Sequence, residues 1–325
     1  MKRVLVIVVT YNGRPWLDRC LGSVTRDPST SLGMTEEGAD PSTSLGEAFR
    51  FVISSGAGGG VEKSLFVVDN DSTDGSADYI QAHFPEAKLV RSAENLLFSK
   101  ANNLGFEYAL EHGYDYVYLL NQDAWLEPGA LETLVQAAEE HPVYAVLSPL
   151  QLTADGTTLD PQFAKLYPAG TKTAQSVPGE AVVEVRRVMA AHWLVPVGAL
   201  RKVGLFDETL FPLYGQDDDW CNRARYHGMK IGIVPGARGV HDRAQRQEPK
   251  EKVIRRNYYT GSLIRLADIN RPLCERFLFV CLFTLVKTVK YRSFLPMKLF
   301  RQICKEIPAV KRLRKRSRDS SLRSE

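Results

Sequence analysis

Carboxylates and side-chain amides gather at a few points along this sequence, and their types suit one kind of chemistry. Asp69 and Asp71 close one apolar run, Asn121 and Asp123 close another, and Asp217, Asp218 and Asp219 open a segment of helical character. Hard oxygen ligands of this kind suit Mg2+ or Mn2+, which draw on phosphate oxygens to complete their shell. A further polar group, Thr10-Tyr11-Asn12, follows the first apolar run. Any one of these acids could be a helix cap or a turn residue. As a set falling on one edge of a sheet, they point to a site. No P-loop is present and no glycine fingerprint follows the first strand, so neither ATPase nor dehydrogenase chemistry is supported.

The elements that must position these groups can be read from apolar spacing. Val4–Val9 reads as a strand covered on both faces, and Pro15 opens a helix with Trp16, Leu17, Cys20, Leu21 and Val24 at helical spacing. Strands are expected at Leu65–Asp69, Lys88–Arg91 and Tyr116–Leu120, and helices from Ser99 to His112 and from Pro128 to His141. Such alternation predicts an α/β fold, a mostly parallel central sheet with helices on both faces. Ligands of these sheets bind beyond the carboxyl ends of the strands, where the polar groups fall. Further on, Val182–Val188 reads as an edge strand and Lys230–Val234 as a short strand. The remainder is helical in character, with the apolar run Phe277–Val286 and a basic end, KRLRKRSR.

One segment breaks the alternation. DPSTSLG occurs at 27–33 and again at 40–46, and SSGAGGG follows at 54–60. Connections in such units are usually short, so residues 26–60 read as a repeat-containing insertion, disordered at a tolerant surface site.

The formal charge of +4 is unevenly spread. Thirteen Lys and Arg against three acids from Lys287 to Glu325 give that stretch +10, which leaves −6 for the first 286 residues. A basic tail on an acidic body points to an anionic surface as partner. Nucleic acid is set aside because no aromatic residues interleave with the last basic cluster. Five scattered cysteines without a CxxC pair argue against a disulfide framework and a structural zinc site. The first apolar run lacks a small-residue cleavage site, and no stretch reaches the roughly 20 apolar residues needed to span a bilayer. A cytoplasmic protein, peripheral on the inner face of the cell membrane, is expected.

The order VVTYNG, VVDNDSTDGS, NLLFSKANNLGF, YVYLLNQDAWLEPGAL and GLFDETLFPLYGQDDDWCNRARYHGMKIGIVP, followed by His241, resembles the inverting family 2 glycosyltransferases and, within them, the rhamnosyltransferase-like branch. Apart from the insertion, the resemblance covers roughly residues 3–262. It implies a GT-A nucleotide-sugar fold over residues 1–262, with 263–325 as a helical, basic C-terminal extension. It also implies a UDP-, dTDP- or GDP-linked sugar donor, and a lipid-linked or polysaccharide acceptor in surface glycan assembly.

The same resemblance assigns roles. Thr10, Tyr11 and Asn12 would lie against the nucleoside, Asp69 and Asp71 would contact base or ribose, and Asn103 would help shape the donor pocket. Asn121 stands at the first position of the acidic metal motif, Asp123 becomes the main protein ligand of the Mg2+ or Mn2+, and His241 completes the metal or diphosphate site. Asp217 is the expected catalytic base and Asp219 the second candidate, with Asp218 facing solvent or capping the helix.

Two residues depart from the pattern. Gln216 replaces a Glu before Asp217, where it is expected to donate a hydrogen bond to Asp217, and FSKANN replaces a glycine-rich donor loop, whose Lys100 reads first as a solvated lysine and second as one that reaches a phosphate. A catalytically silent nucleotide-sugar-binding homologue is the competing reading. A nucleotidyltransferase would need a basic, glycine-rich phosphate loop, and a glycosidase would need neither the metal motif nor the nucleoside residues.

Overall fold

Val4, Val6, Ile7 and Val8 have no accessible surface, the condition of a strand covered on both sides. In a computed structural model of the chain, which describes residues 1–25, 60–166, 173, 181–243 and 250–319, this run is β1 (Lys2–Thr10). It pairs in parallel with β2 (Val61–Asp69) on one side and β4 (Tyr116–Asn121) on the other. β3 (Lys88–Arg91) adds to β2, also in parallel. The crossovers are α1 (Arg14–Thr25), α2 (Ser76–His83) and α3 (Leu97–Glu111). The insertion at 26–60 lies outside the described residues except for Gly60, whose carbonyl accepts the Lys2 N–H.

The second half of the sheet departs from the expected alternation. β5 (Ala124–Leu126), β6 (Tyr144–Leu152) and β8 (His192–Pro196) were not foreseen, and β9 runs Lys230–His241 rather than stopping at Val234. β8 lies antiparallel between β4 and β6, while β6 and β9 return to parallel pairing. β5 and the short β7 (Val183–Val185) both pair antiparallel with β9. The order is β3-β2-β1-β4-β8-β6-β9-β5, and the three longest ladders, β1–β2, β6–β9 and β1–β4, are parallel. Pro235 and Gly236 read as a strand end in the sequence. In the fold they lie in a bulge, where the partner of Pro149 is Val234 and that of Leu150 is Arg238.

Alternate residues of β1 feed two cores. Val4, Val6 and Val8 pack with α1, α2 and α4 (Ala130–Glu140) on one face. Leu5 and Ile7 pack on the other with α3, α5 (Val197–Val203) and α6 (Gln216–Tyr226). Helices therefore cover both faces, as the sequence predicts. Because β1, β2, β4, β6 and β9 run the same way, Thr10, Asp69, Asn121 and His241 end on one edge. α6 leads down into β9, so its first turn starts at that edge as well.

A third core holds the C-terminal helices. α7 (Lys250–Ile254), a π turn (Arg255–Thr260) and α8 (Gly261–Ala267) form one rod, followed by α9 (Leu273–Tyr291) and α10 (Leu295–Arg318). Leu263, Val280, Leu299 and Ile303 pack there against Leu210 and Phe211 of the loop before α6. Among the described residues no helix is long and apolar enough to cross a membrane.

Candidate active site

The nucleoside residues are held by one another. After β1 the chain turns sharply at Asn12, whose φ of 51° lies in the left-handed region that Asn tolerates. The Asn12 N–H donates to Ser72 Oγ at 3.0 Å, and Asn12 Oδ1 accepts the Thr73 N–H at 2.8 Å. The Arg14 N–H donates to Asp74 at 3.0 Å, so the loops after β1 and β2 form one surface. Gln122 closes it from β4, its Oε1 accepting from Thr10 Oγ1 at 2.9 Å and from the Tyr11 N–H at 2.8 Å. Gly13 is required by this closure, since a Cβ there would stand 2.4 Å from Gln122 Oε1. Gln122 was not singled out in the sequence, where it is only the middle letter of Asn-Gln-Asp. Tyr11 and Asp71 project outward from the joined loops, and Asp69 is buried with its Oδ1 lacking a hydrogen-bond partner.

Asp123 and His241 are brought together by β5 and β9. Ala124 and His241 are opposite one another, and the Asp242 N–H donates to the Asp123 carbonyl at 2.8 Å. His241 Nε2 lies 3.5 Å from Asp123 Oδ1, while its buried Nδ1 has no hydrogen-bond partner. Beneath them runs a buried polar column that sequence reading missed. His192 Nε2 donates to the Val240 carbonyl at 2.9 Å, so Nδ1 is left to accept from the Tyr118 hydroxyl, also at 2.9 Å. Burial holds His192 down to about 3, so it stays neutral and fixes the strand next to His241. Cys20 donates to the Asn121 carbonyl at 3.3 Å, anchoring the start of the Asn-Gln-Asp turn from α1.

Three consecutive acids on α6 receive three different surroundings. Asp219 is 1% exposed and accepts from Arg223 Nε at 2.8 Å, and that guanidinium also donates to the Val203 and Leu205 carbonyls. Asp219 is therefore a structural ion pair, which corrects its candidacy as a base. Asp218 takes Arg187 at 2.9 Å rather than simply facing solvent. Asp217 is partly exposed and accepts only the Asp218 N–H, at 2.9 Å. Burial, with the Asp218 charge next, raises Asp217 to about 7, against the pull of that N–H and of Arg187. The expected hydrogen bond from Gln216 to Asp217 is not formed. Gln216 is buried, and its Oε1 has no partner.

Asn103 is used internally. Its Nδ2 donates to the Phe206 carbonyl at 3.1 Å and to Glu208 at 2.6 Å, and its Oδ1 accepts the Phe206 N–H at 3.0 Å. Its side chain holds the loop that leads to α6. Lys100 lies 3.6 Å from Glu94 in an exposed pair.

Buried polar atoms ordinarily find partners. Asp69 Oδ1 on β2, His241 Nδ1 on β9 and Gln216 Oε1 on α6 do not, and all three belong to the edge where the parallel strands end. Asp123 and His241 supply an oxygen and a nitrogen, fewer protein ligands than an octahedral cation needs. Among the described residues no group of three or more His, Cys, Asp or Glu could hold a metal. As a pair, Asp123 and His241 are too few to hold a cation by themselves.

Residues 43–186 match the family model described as Glycosyl transferase family 2. Among curated proteins, the chain is 26% identical to an N-acetylglucosaminyl-diphospho-decaprenol L-rhamnosyltransferase of Mycobacterium tuberculosis, a match covering 56% of this chain and 67% of that protein. It is 24% identical to the dTDP-rhamnosyl transferase RfbF of Shigella flexneri, over 54% of this chain and 59% of that one. Of solved structures, residues 1–349 of S. aureus TarS superpose with a TM-score of 0.55 at 15% identity, covering 86% of this chain and 69% of that one. The same fragment in complex with UDP-GlcNAc gives 0.53 over 90% and 74%. These likenesses share the fold described above.

Proposed function

We propose, from the premise that this chain belongs to glycosyl transferase family 2 and has a GT-A fold, that it is an inverting, metal-assisted transferase. It would move a sugar, rhamnose in the first instance, from a nucleotide diphosphate to a hydroxyl of a lipid-linked or polysaccharide acceptor. The observation that carries the reading is that the joined loops after β1 and β2, the Asp123–His241 pair and Asp217 at the start of α6 all belong to one sheet edge. Rhamnosyl transfer is supported by the two relatives, one a dTDP-rhamnosyl transferase and the other an N-acetylglucosaminyl-diphospho-decaprenol L-rhamnosyltransferase.

In this scheme Thr10, Tyr11, Asn12, Asp69 and Asp71 receive the nucleoside, and Asn121 leads the turn that presents Asp123. Asp123 and His241 are the residues that would hold Mg2+ or Mn2+. The cation, when bound, neutralises the charge that builds on the leaving oxygen. Asp217, ionised, accepts the proton of the acceptor hydroxyl as its oxygen forms a bond to the anomeric carbon, and the nucleoside diphosphate leaves from the opposite face. A carboxylate raised to about 7 is matched to that task near neutral pH. The work is done peripherally, at the inner face of the cell membrane.

The test is release of nucleoside diphosphate from UDP-, dTDP- and GDP-sugars with Mn2+, with and without a polyprenyl-diphosphate-sugar acceptor. Acceptor-dependent release with one donor is expected, fastest with dTDP-rhamnose. Donor binding without release under any condition would favour a silent homologue and end the proposal.

A further inference from the structure

α9 is amphipathic in the wrong direction for a helix that only packs on its own protein. Val280 and Thr284 face the third core, whereas Leu278, Leu282, Leu285, Val286 and Val289 point away from it, each between 56% and 77% exposed. At 100° per residue these five fall within an arc of about 100°, a full apolar stripe turned to solvent. Phe294, in the turn to α10, is 74% exposed and carries the stripe past the end of the helix. Soluble monomers rarely leave a contiguous face of this kind uncovered.

The neighbouring helix supplies the opposite character. α10 packs against α9 and exposes Lys298, Arg301, Lys305 and Arg312, which recur along one side at helical spacing. Lys287 lies with its ammonium 4.9 Å from the Phe283 ring and 5.3 Å from the Tyr291 ring, an apolar stem with a charged tip. An occupant of the apolar stripe must therefore also accept a dense positive field. A second copy of this chain would bring two +10 segments together, and an acidic headgroup layer would neutralise one.

We propose that the α9–α10 hairpin is the surface by which this protein lies on an anionic lipid bilayer, with the α9 stripe set into the headgroup–acyl boundary and α10 against the headgroups. The depth is limited to the interface, because Glu275 and Arg276 bound α9 at its start and Lys287 and Lys290 at its end. The same surface adjoins catalysis. Arg265 of α8 lies 5.6 Å from the Phe279 ring and 4.9 Å from the Phe283 ring, and its charge acts on Asp218, beside Asp217. An acceptor carried in the bilayer would reach the start of α6 from this side, a corollary that rests on the transfer reading, whereas docking itself does not.

Flotation of the full chain with neutral phosphatidylcholine vesicles, and with vesicles containing phosphatidylglycerol, tests the surface. The wild-type protein is expected to float with the anionic vesicles at least tenfold more than with the neutral ones, and less at high salt. The double variant Leu282→Glu/Val286→Glu, at two exposed positions, is expected to lose that binding at least tenfold. Its melting temperature, and its nucleotide release with a water-soluble acceptor, should stay unchanged. Wild-type protein that stays at the bottom of every gradient overturns the proposal, and so does a double variant that floats normally. Sedimentation that shows a wild-type dimer dissolved by the variant, without vesicle binding, assigns the stripe to a second copy and also overturns it. Floating protein that transfers no sugar would leave the surface standing and remove the catalytic reading.

Discussion

At the strand edge, Thr10 is bound to Gln122, Asn12 to Ser72 and Arg14 to Asp74, whereas on the first turn of α6 three adjacent Asp residues are treated unequally. The strand edge spends its polar groups on fixing two loops and a turn as one surface. α6 spends Asp219 on Arg223 and Asp218 on Arg187, and leaves Asp217 with one backbone donor and a proton affinity near neutrality. In the function proposed above, the difference separates binding from reaction. A pocket for a nucleoside gains from donors and acceptors already in place, while a base must be a group whose own needs are unmet.

The strongest way to break the comparison is at the ligand pair. Asp123→Ala is expected to abolish transfer, a loss of several kcal/mol of transition-state stabilisation, and to make donor affinity indifferent to Mn2+. Calorimetric titration of a nucleotide sugar with and without Mn2+, on a variant shown to melt normally, checks it. Near-normal turnover would take Asp123 out of the site.

Asp217→Asn comes next, with turnover expected to fall about a hundredfold or more while donor binding persists. The wild-type rate should rise with pH through about 7 as Asp217 ionises. The stability sign is opposite. A carboxyl raised on folding stabilises the native state most below its unfolded value near 4, and that contribution is lost as pH climbs through about 7. The Asn variant should therefore melt higher than wild type at pH 8 and no higher at pH 4, measured by calorimetry. Asp219→Asn should differ in kind, costing about 3–5 kcal/mol of stability because Arg223 is left buried without its partner. A well-folded Asp219→Asn protein that had lost only turnover would reverse the two assignments.

The smallest expected effect sharpens the contrast within the turn. Asp218→Asn removes a negative neighbour that raises Asp217 and releases Arg187, which lowers it. The plateau rate should stay within a few-fold, and the acidic limb of the pH–rate profile should move to lower pH. A limb that did not move would mean that Asp217 does not govern it.

How much of this was legible in the sequence depended on whether the signal was local. β1 and β4 announce themselves as apolar runs, and β3, with only Leu89 and Val90 apolar, is still bounded in the structure as predicted, Lys88–Arg91. β6 and β8 are buried runs too, but nothing in Tyr144–Leu152 or His192–Pro196 says which neighbour it pairs with or in which direction. That is decided by contacts made far along the chain. That Asp123 and His241 should come together, as they do at 3.5 Å, was legible through an ordered set of motifs. The separate fates of Asp217 and Asp219 were only half legible: Arg223 stands four residues after Asp219, a helical pairing that spacing could have revealed, whereas Arg187 is brought to Asp218 by the fold and carries no mark in the sequence. Asn103 misled for a related reason, since a buried amide and a ligand-facing one are spelled alike.

Gly215 joins two parts of the molecule that a domain diagram would draw apart. It caps α6 at a φ of +88°, and a Cβ there would meet Thr260 of the π turn at 2.9 Å and Ile264 of α8 at 3.0 Å. The segment carrying Asp217 is thus seated directly on the rod that leads into the C-terminal hairpin. A catalytic domain cut away from its C-terminal helices would lose the backing of its own reactive turn. Replacing the rod together with the helices after it should fail unless Thr260 and Ile264 are kept or are matched by residues that fit the glycine, so the two parts behave as one piece rather than as exchangeable modules.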